Sequence, residues 1–168
     1  MFVVLTLLGI IVLITSSLYL HHRKTNNVNE IITELIGQTI VLSDTAIVKD
    51  TIPVSVDSIL KQNQYKIISY VDTSYCYSCR LQLKKWKEYI SEVSDKKKSV
   101  VMLLVFNSSL KHEAENLLGM VDWNMPVFFD KKGYFKKTYN IPDEFALQTF
   151  LLDNNNKVIA VGNPVYNL

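Results

Sequence analysis

The sequence predicts an α/β fold: a mixed central sheet with flanking helices, closing on a C-terminal hairpin and preceded by one N-terminal transmembrane helix. Three observations carry this. From residue 66 onward, short β-rich runs alternate with amphipathic helical stretches, the pattern of a mostly parallel sheet. The last two β-rich runs are separated only by the Asn-rich turn Asp153–Asn156, which adds an antiparallel edge. Finally, Phe2 to Leu20 contains no charged residue, and Thr6, Gly9, Thr15, Ser16 and Ser17 are its only small or polar breaks.

The apolar run comes first in the chain. Nineteen residues at about 1.5 Å each give roughly 28 Å of helix, close to the thickness of a bilayer core. Tyr19, His21, His22, Arg23 and Lys24 follow as an interfacial and charged stop. A cleaved signal peptide would want a basic start, a shorter apolar centre and a small-residue cleavage site, and none is evident. The expected organisation is an anchor at residues 1–20, a polar linker at 21–30 and a folded domain at 31–168. The positive-inside rule, read from Arg23 and Lys24 alone, would place that domain in the cytoplasm. A start that plunges straight into the bilayer also suggests a missing basic leader.

Within the domain, Ile31–Ile36 reads as a helical turn closed by Gly37. Gln38–Leu42 and Ala46–Val48 read as short strands, and Pro53–Lys61 is mixed. Lys66–Val71 has the length and β-rich composition of a buried strand. Asp72, Thr73 and Ser74 follow as a turn with N-cap candidates. A helix is predicted over Cys76–Val93, with Leu83, Trp86, Ile90 and Val93 forming its buried stripe. Ser99–Phe106 is apolar throughout, as suits a central parallel strand covered on both faces. Ser109–Met120 reads as a second amphipathic helix, Pro126–Asp130 as a third strand and Tyr134–Tyr139 as a short helix. Thr149–Leu152 and Lys157–Val161 form the closing hairpin. Trp86 and Trp123 are expected in the core, His112 on an exposed helix face and Pro164 in a fixed turn.

Composition excludes some functions. Hydrophobic residues make up 48% of the 168, enough for a sizeable core, and the net charge of +2 is too small to argue for a nucleic-acid partner. Lys96–Lys98, Lys131–Lys132 and Lys136–Lys137 lack interleaved aromatic or Arg residues and read as solvated loops and helix ends.

The chemistry rests on the two cysteines, which form C-x-x-C as Cys76-Tyr77-Ser78-Cys79. Scattered at random, two cysteines would take this spacing in roughly 1% of cases, so the pattern is informative. Placed where a strand hands over to a helix, the first cysteine would meet unpaired N–H groups and the positive end of the helix dipole. Both favour its thiolate and make it a nucleophile. Cys79, three residues on, would lie on the same side of the helix, able to attack a mixed disulfide and release the partner. A zinc site needs four ligands; this motif supplies two, and two of the three histidines flank the apolar run. Covalent haem attachment needs a histidine where Arg80 stands. A peroxidase and an inert structural disulfide remain as alternatives. No cofactor and no metal are expected.

These residues resemble the thioredoxin-like superfamily, in particular membrane-anchored bacterial redoxins and thiol–disulfide oxidoreductases. The similarity covers about Lys66 to Asn163. It rests on KIISYVDTSYCYSCR as strand, motif and helix start, on PVFFDKKGYFKKTYNI as the inserted strand and helix of redoxins, and on TFLLDNNNKVIAVG as the closing hairpin. The resemblance implies that Cys76 is the exposed nucleophile and Cys79 the resolving thiol, with Tyr75, Tyr77 and Leu147 lining the site. Leu147 stands about where the family carries a cis-proline, and the nearest proline is Pro142. Tyr75 replaces the usual Trp. Tyr70 stands where thioredoxins proper bury an acid; Asp72 is a candidate substitute but reads first as a turn residue. Ser69 occupies the place where peroxiredoxins put a proline, although Thr73 sits three before Cys76 as it does in them. The chain stops at Leu168, so the family's last helix is expected to be missing, leaving apolar surface that would seek a partner or the membrane. The implied partners are a protein thiol or disulfide substrate and a redox partner protein at a bacterial cell membrane. The domain is expected on the periplasmic face, because single-anchor members of this superfamily are typically exported. The rival expectation is a redox-inactive binding or scaffold module of the same fold.

Overall fold

A computed structural model describes residues 10–17, 28–42, 45–48, 52–73, 81–95 and 99–166. The chain divides into two compact units, residues 1–34 and 35–168. In the first, residues 10–17 are helical. Ile10, Ile11, Val12, Leu13 and Ile14 are each 53–69% exposed there. The Thr15 and Ser16 hydroxyls donate back to the Val12 and Leu13 carbonyls, both at 3.0 Å. Among the described residues no helix is long and apolar enough to cross a membrane; Phe2–Gly9 and Leu18–Leu20 of the predicted anchor lie outside them. A second helix runs over residues 28–35, ahead of Gly37. Gly37 has φ +89°, the left-handed conformation in which glycine ends helices without steric cost.

The second unit is built on a seven-stranded mixed sheet. Its strands are β1 (Thr45–Val48), β2 (Ile52–Ser55), β3 (Tyr65–Val71), β4 (Val100–Asn107), β5 (Val127–Asp130), β6 (Thr149–Leu152) and β7 (Val158–Val161). Their spatial order is β2-β1-β5-β4-β3-β6-β7. β3, β4 and β5 are mutually parallel, and the remaining pairings are antiparallel. Pro53 lies in β2, an edge strand, the place in a sheet where proline is tolerated. The mixed segment Pro53–Lys61 thus resolves into β2 and the helix α1 (Val56–Gln62).

β3 and β4 are central, and their apolar runs are covered on both faces: Met102 to Phe106 are all 0% exposed. On one face Ile67, Val71, Met102, Leu104, Phe106 and Val127 pack with Leu83, Trp86 and Ile90 of α2 (Leu83–Asp95) and Ala114 of α3 (Lys111–Met120). Of the predicted stripe of α2, Leu83, Trp86 and Ile90 are buried and Val93 is half-buried. The Lys87 ammonium crosses to the end of α3, donating to the Val121 and Asp122 carbonyls at 3.2 and 3.0 Å. On the opposite face Tyr70 lies against Phe135 of the short helix α4 (Tyr134–Thr138), ring centroids 6.1 Å apart. Trp86 and Trp123 are buried and His112 is exposed on α3, as expected.

Three expectations are corrected. Gln38–Leu42 is not a regular strand: residues 37–40 make only a ribbon of backbone bonds to Asn156 and Val158, with one bridge, Thr39 to Lys157. The segment instead turns outward at Val41, which exchanges hydrogen bonds with the Tyr139 hydroxyl at 2.7 and 3.0 Å. Next, a single helix from Cys76 to Val93 does not form. α2 starts at Leu83, Leu81 is non-helical, and Gln82 has φ +44°. A left-handed residue breaks any right-handed helical path through it. Third, Lys66, at the start of a strand read as a plain buried run, is 0% exposed and carries its ammonium inward. It donates to the Asp153 and Asn154 carbonyls at 3.0 and 3.1 Å, closing the β6–β7 turn from below.

Among the described residues no helix follows β7. Beside α2 the sheet has an open groove of about 390 Å³, lined by Ile67, Tyr89, Leu151, Ala160 and Pro164. It is partly closed at its end, because the turn at Asn163–Tyr166 folds Val165, 1% exposed, back into the core. The Asn163 side chain fixes that turn by accepting from the Val165 N–H at 3.0 Å.

Candidate functional site

The three parallel strands end together. Val71 is level with Phe106, and Asn107 with Asp130, so Asp72, Asn107 and Asp130 converge on the carboxyl edge of the sheet. In open α/β sheets that edge is where ligand sites collect, because loops there leave the strands in a common direction. β6 runs the opposite way and brings the chain before it to the same edge. The Tyr70 N–H donates to the Gln148 carbonyl at 2.8 Å, and the Ser69 and Thr149 hydroxyls pair at 2.9 Å.

The polar side chains at this edge form two linked clusters. In the first, Asp130, 1% exposed, accepts from the Tyr70 hydroxyl at 3.1 Å, the Phe135 N–H at 2.9 Å and the Lys136 N–H at 3.3 Å. One carboxylate thereby caps the start of α4 and satisfies a buried phenol. Burial, then the charge of Asp130 and its hydrogen bond, push the Tyr70 phenol pKa far up, so it stays a neutral donor. In the second, Asp72 pairs with Lys136, which also pairs with Asp143. The Asp72 side chain is 7% exposed, that of Lys136 24% and that of Asp143 79%. Asp72 also accepts from the Thr73 N–H at 2.6 Å. Burial alone would raise the Asp72 pKa; the Lys136 ammonium and the Thr73 donors outweigh it and hold the carboxyl below its ordinary value. For Lys136 burial works downward, and its two carboxylate partners outweigh it, raising its pKa.

The sequence-predicted residues are distributed as follows. Cys76, Cys79, Tyr75 and Tyr77 lie outside the described residues. Their segment connects Thr73, at the carboxyl edge, to Leu81, which is 0% exposed and anchored in the core. Leu147 is 6% exposed, in the single turn Phe145–Leu147 just before β6. The following residue, Gln148, is 1% exposed, with its side-chain amide donating to the Pro142 carbonyl at 2.9 Å. Asp72 is a turn residue, as read, but also a buried ion-pair partner. Lys136, read as one of a solvated pair of lysines, is that partner. Nothing in the sequence connects residues 64 positions apart, so the pair was invisible there.

No protein-family profile matches this sequence, and no curated protein matches it. Solved structures do. A thiol:disulfide interchange protein from Bacteroides sp. is 15% identical with a TM-score of 0.56, covering 80% of this chain and 88% of its own. A thioredoxin-like protein from Porphyromonas gingivalis is 20% identical with a TM-score of 0.54, covering 75% and 81%. A mitochondrial 2-cys peroxiredoxin from Plasmodium falciparum is 18% identical with a TM-score of 0.56, covering 78% and 84%. At these identities the likeness is one of fold: the second unit has a mixed α/β, thioredoxin-like fold.

Proposed function

We propose that this thioredoxin-like domain exchanges disulfides with protein partners through Cys76 and Cys79. The observation that carries the reading is the place of the C-x-x-C segment in the chain. It leaves the carboxyl end of β3, a central strand of a thioredoxin-like sheet, and leads into the amphipathic helix α2. In the proposed cycle the Cys76 thiolate attacks one sulfur of a partner disulfide, and the other leaves as a thiolate and takes a proton. Cys79, losing its proton, then attacks Cys76 in the mixed disulfide and frees the partner as a dithiol. The partner gains two electrons and this chain becomes the disulfide. A second protein dithiol must return it to the reduced state; run backward, the same steps oxidise a substrate. Insulin reduction by the full chain in detergent tests this: wild type should be active and Cys76→Ala inactive. An inactive wild type whose two cysteines stay joined would refute it.

One observation favours the second reading, a redox-inactive module with a structural disulfide. α2 begins four residues past Cys79, at Leu83, so its own N-terminal field is not centred on the motif. The same assay separates the two.

The tether is part of the proposal. Five consecutive large apolar residues exposed around a helix, with the hydroxyls that follow bonded back to its own carbonyls, suit a lipid surrounding. The domain is proposed on the periplasmic face of a bacterial cell membrane. Labelling in intact cells with a membrane-impermeant thiol reagent, before and after reduction, decides sidedness; protection of the thiols until lysis would place the domain inside.

A further inference from the structure

The exposed side of α4 carries chemistry that thiol exchange does not use. Residues 131–141 (KKGYFKKTYNI) hold four lysines and no acid. Lys136 is occupied by Asp72 and Asp143. Lys131, Lys132 and Lys137 are exposed and make no ion pair among the described residues. Between them Tyr134 is 74% exposed. Val41, 68% exposed, lines the same open groove of about 440 Å³ as Tyr134, with Lys131 and Tyr139. The Tyr139 hydroxyl bonds both the N–H and the carbonyl of Val41, so that residue is fixed against α4. The one carboxylate in the lining, Asp130, is 1% exposed and already accepts from three donors. We propose that this face, Val41 and Tyr134 with Lys131, Lys132 and Lys137, lies on an anionic lipid surface; the proposal rests on the tethered reading above. Tyrosine rings with a polar tip and lysines with long apolar stems settle at the headgroup level of a bilayer. Three unpaired ammonium groups on one face are drawn to anionic headgroups within a Debye length. Tyr134 stands clear of the protein surface, which suits insertion among headgroups, whereas a peptide or small-ligand site draws its apolar contacts into the groove. The tether keeps the domain near the bilayer at high effective concentration, so a contact this small is populated without being strong.

The experiment is quenching by brominated lipids in the full chain reconstituted into lipid nanodiscs. Tyr134→Trp puts an indole at the proposed contact. Trp86 and Trp123, 0% and 5% exposed, give the background, which is read from the wild-type chain. In discs of brominated phosphatidylcholine and phosphatidylglycerol in equal parts, the added emission should be quenched. In discs of brominated phosphatidylcholine alone, or at high salt, most of it should return. Each of Lys131→Gln, Lys132→Gln and Lys137→Gln, added to Tyr134→Trp, should lower the ratio of lipid-apposed to free domain by about fivefold. An indole left unquenched in the anionic discs overturns the inference, and so does quenching of equal strength without phosphatidylglycerol. An indole unquenched by lipid but shifted in emission by polyglutamate also overturns it, and assigns the face to an acidic protein segment. A chain that leaves the discs on gel filtration refutes the tether and the inference together, whereas a retained chain with an unquenched indole refutes only the inference.

Discussion

Replacing Asp130 by Ala should be among the most damaging single changes at the carboxyl edge of the sheet. Three donors converge on this 1%-exposed carboxylate: the Tyr70 hydroxyl and the N–H groups of Phe135 and Lys136. Losing the cap of α4 costs about 1 kcal/mol. Leaving the Tyr70 hydroxyl unsatisfied costs a further ~2 kcal/mol, since Tyr70 is itself 0% exposed. The sum, about 3 kcal/mol, is a large share of the ~5–15 kcal/mol that holds a domain of this kind folded. Tyr70→Phe alone should cost only about 1 kcal/mol, because Asp130 keeps both backbone donors. In the double variant there is no hydroxyl to strand, so the combined cost should fall short of the sum by about 1 kcal/mol or more. Urea titrations of the four chains at pH 7, followed by far-UV circular dichroism, give the cycle. An Asp130→Ala cost within 0.5 kcal/mol of zero, or strictly additive costs, would refute the reasoning.

Three other outcomes follow from the same kind of accounting. Burial lowers the Lys66 pKa against the opposing charge of Asp153, so in the window just below 10.5 the folded chain holds fewer protons than the unfolded one. The Lys66 contribution to stability should therefore rise with pH across that window, against the falling contributions of Tyr70 and Lys136, whose folded pKa values are raised, and Lys66→Met should make the measured slope more negative in pH-dependent denaturation. Asp72 is held below its ordinary 3.8, so the stability it supplies is complete above about pH 5 and drains away as pH falls through the depressed folded value. Thermal melts of Asp72→Asn should lack that acid loss; an identical acid limb in both chains would exclude the pairing. The Trp86 indole N–H is buried with no acceptor among the described residues, so Trp86→Phe gives up packing volume and no hydrogen bond that the described residues make. It should cost about 1–2 kcal/mol in urea unfolding, against ~3–5 for Trp86→Ala; equal costs would mean the indole nitrogen has a polar role.

Local patterns carried much of the sequence reading. The β-rich run at Lys66–Val71 and the apolar run at Ser99–Phe106 have the length and composition of covered strands, and they form most of β3 and β4. The spacing of Leu83, Trp86 and Ile90 marked the inner face of α2, and the Asn-rich turn at residues 153–156 announced the closing hairpin. What failed was the junction between elements. Nothing in the residues around Gln82 marks a left-handed conformation, so the sequence gives no sign that a helix has to start afresh at Leu83. Thr39 and its neighbours have strand composition, but the backbone bonds they make depend on where β7 begins, not on their own sequence.

The sequence by itself determined the parts that depend on neighbours in the chain: periodicity, turn chemistry, the apolar run at the start and the C-x-x-C spacing. Tertiary structure alone decided which charges meet. Asp72 and Lys136, Tyr70 and Asp130, and Lys66 and the β6–β7 turn are joined across 60 to 88 residues. An isolated Asp or Lys carries no mark of such a partner, because the attraction appears only once folding has stripped water from both and set them within reach.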